Sequence, residues 1–125
     1  MADIKRSVET YTQAWNTSDR DECVRLLNQS WVSHGEFLNA MLDAPLVGAE
    51  PLATYIDQTN AQFPGHRTVL AGEIVEHNSC ALVSWRYVGP EGIVTLEGQN
   101  YVELDESGLI RRVVQFFPVT LAADS

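Results

Sequence analysis

The spacing of apolar residues predicts three helices in the first half of the chain. In the first helix apolar residues recur at steps of three and four, and this stripe consists of Ile4, Val8, Tyr11 and Trp15. The helix is predicted to end near Asn16, and Ser18 with Asp21 resembles a capping box that opens a second helix. A third helix is predicted to start after Gly48 and to end at Pro64-Gly65.

The segment between the second and third helices has the weakest pattern. Ser30 to His34 predicts a short strand, because β-branched and aromatic residues favour a pleated sheet. The residues from Gly35 to Leu46 are predicted to be irregular or to form a helical turn.

After the third helix the apolar period changes to two, which is typical of strands. The predicted strands are separated by turns rich in Gly, Asn and Asp, and they run from Val69 to Glu76, Cys80 to Val88, Ile93 to Leu104 and Leu109 to Phe117. Helices followed by a meander of strands predict an α+β domain, with three N-terminal helices covering a curved antiparallel or mixed sheet. We expect one domain over residues 1–118 and a loose tail over 119–125.

One face of the predicted sheet is suited to the wall of a small-molecule pocket. Strand alternation gives this face mostly apolar residues and two amides, namely Val83, Trp85, Asn100, Val113, Gln115 and Phe117. Burying an amide without a partner costs roughly 2 kcal/mol or more, so the two amides need each other, a water or a ligand.

The opposite sheet face is mixed and partly apolar. Its members are Leu82, Ser84, Arg86, Tyr101, Val114 and Phe116. Such a face would leave an exposed apolar patch on a monomer, so we expect a homodimer formed through it.

Composition narrows the class of partner. The chain has 125 residues, 45% of them hydrophobic, which suits a single core. Its 17 acidic and 8 basic residues give a net charge of −9, which argues against nucleic acid or an anionic membrane as partner. No apolar run approaches the length of about 20 residues that a membrane-spanning helix needs.

The cysteines and histidines lack the spacing of a redox or metal site. Cys23 and Cys80 lie far apart and form no CxxC pair, so two reduced thiols of a cytoplasmic protein are expected. His34, His66 and His77 show no metal-ligand spacing, and we expect neither a metal nor another cofactor.

Several short motifs, taken in order, resemble the nuclear transport factor 2-like superfamily over nearly the whole chain, and within it the small SnoaL-like proteins. They are Tyr11-x-x-x-Trp15-Asn16-x-x-Asp19, Gly48-x-x-x-Leu52, Val83-Ser84-Trp85-Arg86-Tyr87-x-Gly89, Gly98-x-Asn100, Gly108-x-Ile110 and Phe116-Phe117. The resemblance implies a cone-shaped fold around a pocket. It also implies cofactor-free acid/base chemistry of the isomerase or cyclase kind, and a homodimer.

The resemblance to the steroid isomerases of this superfamily implies three catalytic roles. Tyr11 corresponds to their tyrosine donor to an enolate oxygen, and Asn100 to their protonated aspartic acid, a second donor. Their base is an aspartate at the end of the first strand, where this chain reads His34-Gly35-Glu36. His34 is the candidate base, and a slip of one residue would place Gly35 there instead.

Alternatives to these roles stay open. Tyr11 is equally explained as a member of the helical core stripe, and His34 as a residue that shapes the pocket mouth. The polyketide cyclases carry their acid/base aspartate on the last strand, where this chain has Gln115, which cannot exchange protons.

Three functions follow from these observations. The first is an enzyme acting on an apolar substrate that bears a carbonyl group, the second a non-catalytic binder of a hydrophobic metabolite, and the third a dimeric protein-interaction domain. In the first two, the expected ligand-binding residues are Trp15, Tyr55, Phe63, Val83, Trp85, Val113, Gln115 and Phe117.

Overall fold

The computed structural model describes residues 4–118, which form three helices and the strands of one mixed sheet, with the first two strands between the second and third helices. The helices are α1 (Ile4–Asn16), α2 (Arg20–Ser30) and α3 (Ala49–Gln62). The strands are β1 (Trp31–Leu38), β2 (Leu46–Val47), β3 (Arg67–Leu70), β4 (Val75–His77), β5 (Cys80–Val88), β6 (Val94–Leu104) and β7 (Ile110–Phe116). The predicted α+β class is confirmed, and the predicted tail over 119–125 lies outside the described residues.

The sheet places the last three strands side by side at its centre. Its order is β2-β1-β7-β6-β5-β3, and β4 pairs with β5 beyond the end of β3. β1 runs parallel to β7, and the other pairs are antiparallel. Across the central strands Asn100 is opposite both Val83 and Gln115, so these three side chains share one face.

The helices begin where short polar residues or glycine permit it. Asp19, not Ser18, caps α2, because its extended backbone lets the carboxylate accept the N–H groups of Asp21 at 2.9 Å and Glu22 at 3.3 Å. The predicted capping box at Ser18 is therefore wrong by one residue. Gly48 precedes α3 with φ of +90°, a conformation that favours glycine.

Two predicted strands have different bounds in the structure. β1 continues to Leu38 instead of ending near His34, with a register shift against β7 between Trp31 and Glu36. The predicted strand from Val69 to Glu76 is broken into β3 and β4. Gly72, with φ of +77°, lies in the break, where extended pairing with β5 is interrupted.

Side-chain hydrogen bonds fix α1 and α3 over the inner sheet face. Asn16 pairs with the backbone of Thr68, donating at 2.8 Å and accepting at 2.7 Å, so the end of α1 is joined to β3. Asn60 of α3 donates to the Trp15 carbonyl at 2.9 Å and accepts from the Tyr87 hydroxyl at 2.8 Å. These bonds hold the two helices and β5 at a fixed separation around the space between them.

Candidate ligand-binding site

A partly open cavity of about 530 Å³ lies between α1, α3 and the inner face of the sheet. Its volume falls within the roughly 300–1,000 Å³ of small-molecule sites. The described residues that line it are Val8, Tyr11, Thr12, Trp15, Met41, Tyr55, Gln58, Thr59, Gln62, Phe63, Thr68, Leu70, Val83, Trp85, Tyr87, Thr95, Leu96, Asn100, Val102, Gln115 and Phe117. Aromatic and aliphatic side chains form most of this wall.

The lining is electrically neutral. Among the described lining residues there is no carboxylate, imidazole, ammonium, guanidinium or thiol group, although the chain carries 17 acidic residues. Polar contacts inside the cavity therefore come from hydroxyl and amide groups. Such groups donate and accept hydrogen bonds but do not serve readily as proton acceptors near neutral pH.

Tyr11 lies in the cavity wall, and its hydroxyl oxygen is buried away from the open space of the cavity. The residue is 3% exposed, its ring packs on Trp31 with centroids 5.4 Å apart, and its hydroxyl makes no hydrogen bond of normal geometry to a described residue, although the Trp15 side chain lies close enough to affect its pKa. Burial raises the pKa of Tyr11 far above its ordinary value, so the group stays protonated and able to donate. An unpaired buried hydroxyl is unfavourable, and a ligand acceptor would remove that cost if neighbouring side chains of the wall moved to admit it.

We expect Tyr11→Phe to leave the stability of the empty protein unchanged or to raise it by up to about 1 kcal/mol, because the change removes a buried hydroxyl that has no partner. Urea unfolding of both proteins without ligand would measure this. Tyr87→Phe is the matched control and should destabilise, since the Tyr87 hydroxyl bonds to Asn60. A loss of more than 1 kcal/mol for Tyr11→Phe would mean that its hydroxyl has a partner.

Asn100 presents an amide nitrogen whose orientation is set by Trp85. Asn100 is 7% exposed, and its Oδ1 accepts the indole N–H of Trp85 at 3.0 Å. An indole N–H can only donate, so the oxygen of the amide must face Trp85. Nδ2 is left without a hydrogen-bond partner among the described residues, at a position that lines the cavity.

Gln115 is held by a residue that the sequence analysis did not identify. Asn39, 9% exposed, follows β1, and its Nδ2 donates to the Tyr55 hydroxyl at 2.8 Å and to Gln115 Oε1 at 3.1 Å. Asn39 could have been found in the sequence as the polar residue directly after the strand residues Phe37-Leu38. This requires knowing that β1 reaches Leu38, and the sequence pattern did not predict that.

His34 does not lie at the cavity. It is exposed on β1, while its neighbour Gly35 and then Phe37 face the core, and it is not among the lining residues. The assignment of His34 as a base acting with Tyr11 is therefore wrong. The residue that actually follows the first strand is Asn39, an amide.

Val113 is also not in the cavity wall. It is fully buried in the hydrophobic core of the described residues, beneath the helices, and does not line the cavity. The strand alternation placed Val113 on the correct face of the sheet. At this position of β7, however, core side chains cover that face, and the cavity begins only at Gln115.

The other residues named from the sequence meet in the cavity lining, together with Tyr11 and Asn100. They are Trp15, Tyr55, Phe63, Val83, Trp85, Gln115 and Phe117. Phe63 lies at the exposed edge, with 39% of its surface accessible, and packs against Tyr87 with centroids 5.7 Å apart. Tyr87 and Val102 were missed, although each has the same strand parity as Trp85 or Asn100.

Other surfaces of the described residues offer less to a small ligand. A depression of about 620 Å³ on the outer side of Trp85 and Gly98 is largely open to solvent, and its charged residues Arg86 and Glu97 pair with each other at 3.3 Å. Residues 4–118 contain no group of three His, Cys, Asp or Glu side chains placed to hold a metal ion. No helix in this range has the length and apolar character needed to cross a membrane.

Solved structures with the same fold were found by comparison. A proposed isomerase of the SnoaL-like family from Agrobacterium tumefaciens is 30% identical, with a TM-score of 0.83, over 91% of this chain and 96% of that one. A protein with a cystatin-like fold from Methylobium petroleophilum is 21% identical, with a TM-score of 0.74, over 95% and 78% of the two chains. A hypothetical protein with a ketosteroid isomerase-like fold from Catenulispora acidiphila, in complex with trimethylamine, is 11% identical, with a TM-score of 0.72, over 90% and 85% of the two chains.

The chain has the nuclear transport factor 2-like fold, and the partly open cavity lies within it. The chain belongs to the SnoaL-like family. No family model and no curated protein matches its sequence.

Proposed function

We propose that this protein binds a neutral, largely apolar small molecule and recognises it through a carbonyl oxygen. The observation that carries the proposal is a neutral cavity lined by Asn100 and Gln115, whose amide nitrogens are left free to donate hydrogen bonds. A carbonyl oxygen accepts from such donors, and the apolar walls contribute about 25 cal/mol for each Å² of ligand surface removed from water. The free thiols Cys23 and Cys80 support a reducing compartment, the cytoplasm, as its location.

Isomerase- or cyclase-like catalysis without a cofactor is the second candidate, and the unpaired hydroxyl of Tyr11 favours it. A buried donor can stabilise the negative charge that develops on an enolate oxygen. Removal of a proton from carbon also requires a base, and the described lining offers none. Binding therefore has the stronger support.

A set of matched probes tests the binding proposal. Indanone and indane have similar shapes, and only indanone carries a carbonyl group, so we expect indanone to bind about tenfold more tightly. Isothermal titration calorimetry measures both affinities. Equal affinities would contradict carbonyl recognition.

Two further arms of the same experiment separate the rival functions. Tetramethylammonium represents the cationic class of ligand, which aromatic walls can attract, and tighter binding of this cation than of indanone would overturn the proposal. Proton exchange of indanone in deuterated water, followed by NMR, tests catalysis. Exchange that the protein accelerates and that Tyr11→Phe abolishes would favour the second candidate.

We also propose a homodimer through the outer sheet face, where Leu82, Tyr101 and Phe116 are 41%, 36% and 59% exposed. Light scattering should give twice the 13.9 kDa mass of the chain. Phe116→Glu should shift the mass towards the monomer, because a carboxylate would be buried in the interface. Ile93→Glu, at a residue 64% exposed outside that face, is the control, and a monomeric wild type would refute the dimer.

A further inference from the structure

We infer that Asn39 sets the polarity of the ligand that the cavity accepts, because it holds Gln115 with its amide nitrogen free for the ligand. This inference rests on the proposed binding function and deepens it. Asn39 is a positioning residue: it does not line the cavity, but it bonds to Tyr55 and Gln115, which do.

The first step is that the backbone fixes the orientation of Asn39. The N–H of Met41 donates to Asn39 Oδ1 at 2.9 Å. A backbone N–H can only donate, so this oxygen cannot be exchanged with the amide nitrogen by rotation of the side chain. Asn39 Nδ2 must then point towards Tyr55 and Gln115.

The second step passes this orientation to the cavity wall. Asn39 Nδ2 needs acceptors, and it finds them in the Tyr55 hydroxyl oxygen at 2.8 Å and in Gln115 Oε1 at 3.1 Å. The Gln115 oxygen thus accepts a hydrogen bond from Asn39, and Nε2 remains available to donate to a ligand. The Tyr55 hydroxyl, which accepts from Asn39, likewise keeps its proton for donation. Both lining residues therefore act as donors.

The third step is that replacing the Asn39 amide nitrogen with oxygen reverses the direction of the hydrogen bond to Gln115. Asn39→Asp keeps the size of the side chain and one oxygen for Met41, but it replaces the donating nitrogen with an accepting oxygen. Gln115 then satisfies the introduced carboxylate by turning Nε2 towards it, and Oε1 faces the cavity. The wall that accepted a carbonyl group now offers an acceptor at Gln115.

The test compares an acceptor with a donor of similar size. Indanone only accepts hydrogen bonds through its carbonyl, and indole donates one through its N–H. We expect wild type to prefer indanone, and Asn39→Asp to shift the ratio of the two Kd values towards indole by about tenfold. Asn28→Asp, the same change at an exposed position of α2, should leave the ratio unchanged.

The pH dependence of the variant adds a readout that a merely structural role would not move. Protonation of the introduced carboxyl group restores a donor towards Gln115, so the preference of Asn39→Asp should return towards that of wild type at low pH. The other groups around this position, the Tyr55 hydroxyl, the Gln115 amide and the backbone of Met41, do not acquire charge in acid.

The outcomes distinguish failure of the inference from failure of the proposed function. If wild type binds indanone no better than indane, the binding function is wrong. If it prefers indanone but Asn39→Asp shows the same preference for indanone over indole at every pH, the role of Asn39 is refuted. Should the variant not fold, side-chain amide signals in ¹⁵N NMR spectra of wild type decide: indanone should shift the Gln115 amide, and an unmoved signal would overturn the inference.

Discussion

We expect Gly98→Ala to destabilise the protein by about 3 kcal/mol or more, which lowers Tm by roughly 10 °C. Gly98 faces Trp85 across the β5–β6 pair, and the indole lies where a side chain would otherwise be. A methyl group there would overlap the carbonyl oxygen of Phe116 and come within 2.7 Å of Cζ2 of Trp85. The carbonyl belongs to the backbone of β7 and cannot move without disturbing the sheet.

Thermal unfolding measures this effect, and Gly89→Ala is its control. A methyl group at Gly89 would meet atoms of His66 and Ile93 at 3.4–3.5 Å, which is ordinary contact, so a change within about 1 kcal/mol is expected. Similar melting temperatures for the two variants would show that Trp85 does not depend on Gly98 for its position.

Asn100→Leu should weaken indanone binding by about ten- to a hundredfold and destabilise the empty protein by about 1–3 kcal/mol. The loss of affinity follows from removal of the Nδ2 donor. The loss of stability has a separate cause, since the Trp85 indole N–H is left buried without its acceptor. Isothermal titration calorimetry and urea unfolding measure the two effects independently.

Gln99→Leu is the matched control for this prediction. It makes the same chemical change one residue earlier, where the side chain is exposed and bonds to Ser84 Oγ at 3.3 Å. Its affinity for indanone should equal that of wild type. If Asn100→Leu also binds indanone as wild type does, Asn100 is not a ligand donor and the polar end of the site lies elsewhere.

The strands from Cys80 onward could be predicted because each alternates over many residues between clear turns. β5 over Cys80–Val88 agrees with its prediction at both ends, and β6 and β7 agree within one residue. Their alternation also predicted the shared face of Val83, Trp85 and Asn100. Most of the cavity wall follows from this one pattern.

The hydrogen bonds from Asn39 to Tyr55 and Gln115 could not be predicted, because they depend on the irregular pairing of β1 with β7. β1 shifts its register against β7 between Trp31 and Glu36, and glycine within the strand hides its continuation. The short strand predicted from Ser30 put His34 at its end and left Asn39 in a loop. Contacts between Asn39 and Gln115 join residues 76 positions apart, and no local pattern signals such a pair.

Because the cavity lining is neutral, binding of a neutral ligand should not depend on the pH of the solution. The described lining residues contain no carboxyl, imidazole, amine or thiol group, so the cavity takes up no proton when a neutral ligand enters and releases none when it leaves. A decrease in pH is therefore not expected to change the affinity of this site for a neutral ligand. If the cavity binds the neutral ligand proposed above, its occupancy should follow the ligand concentration and not the pH.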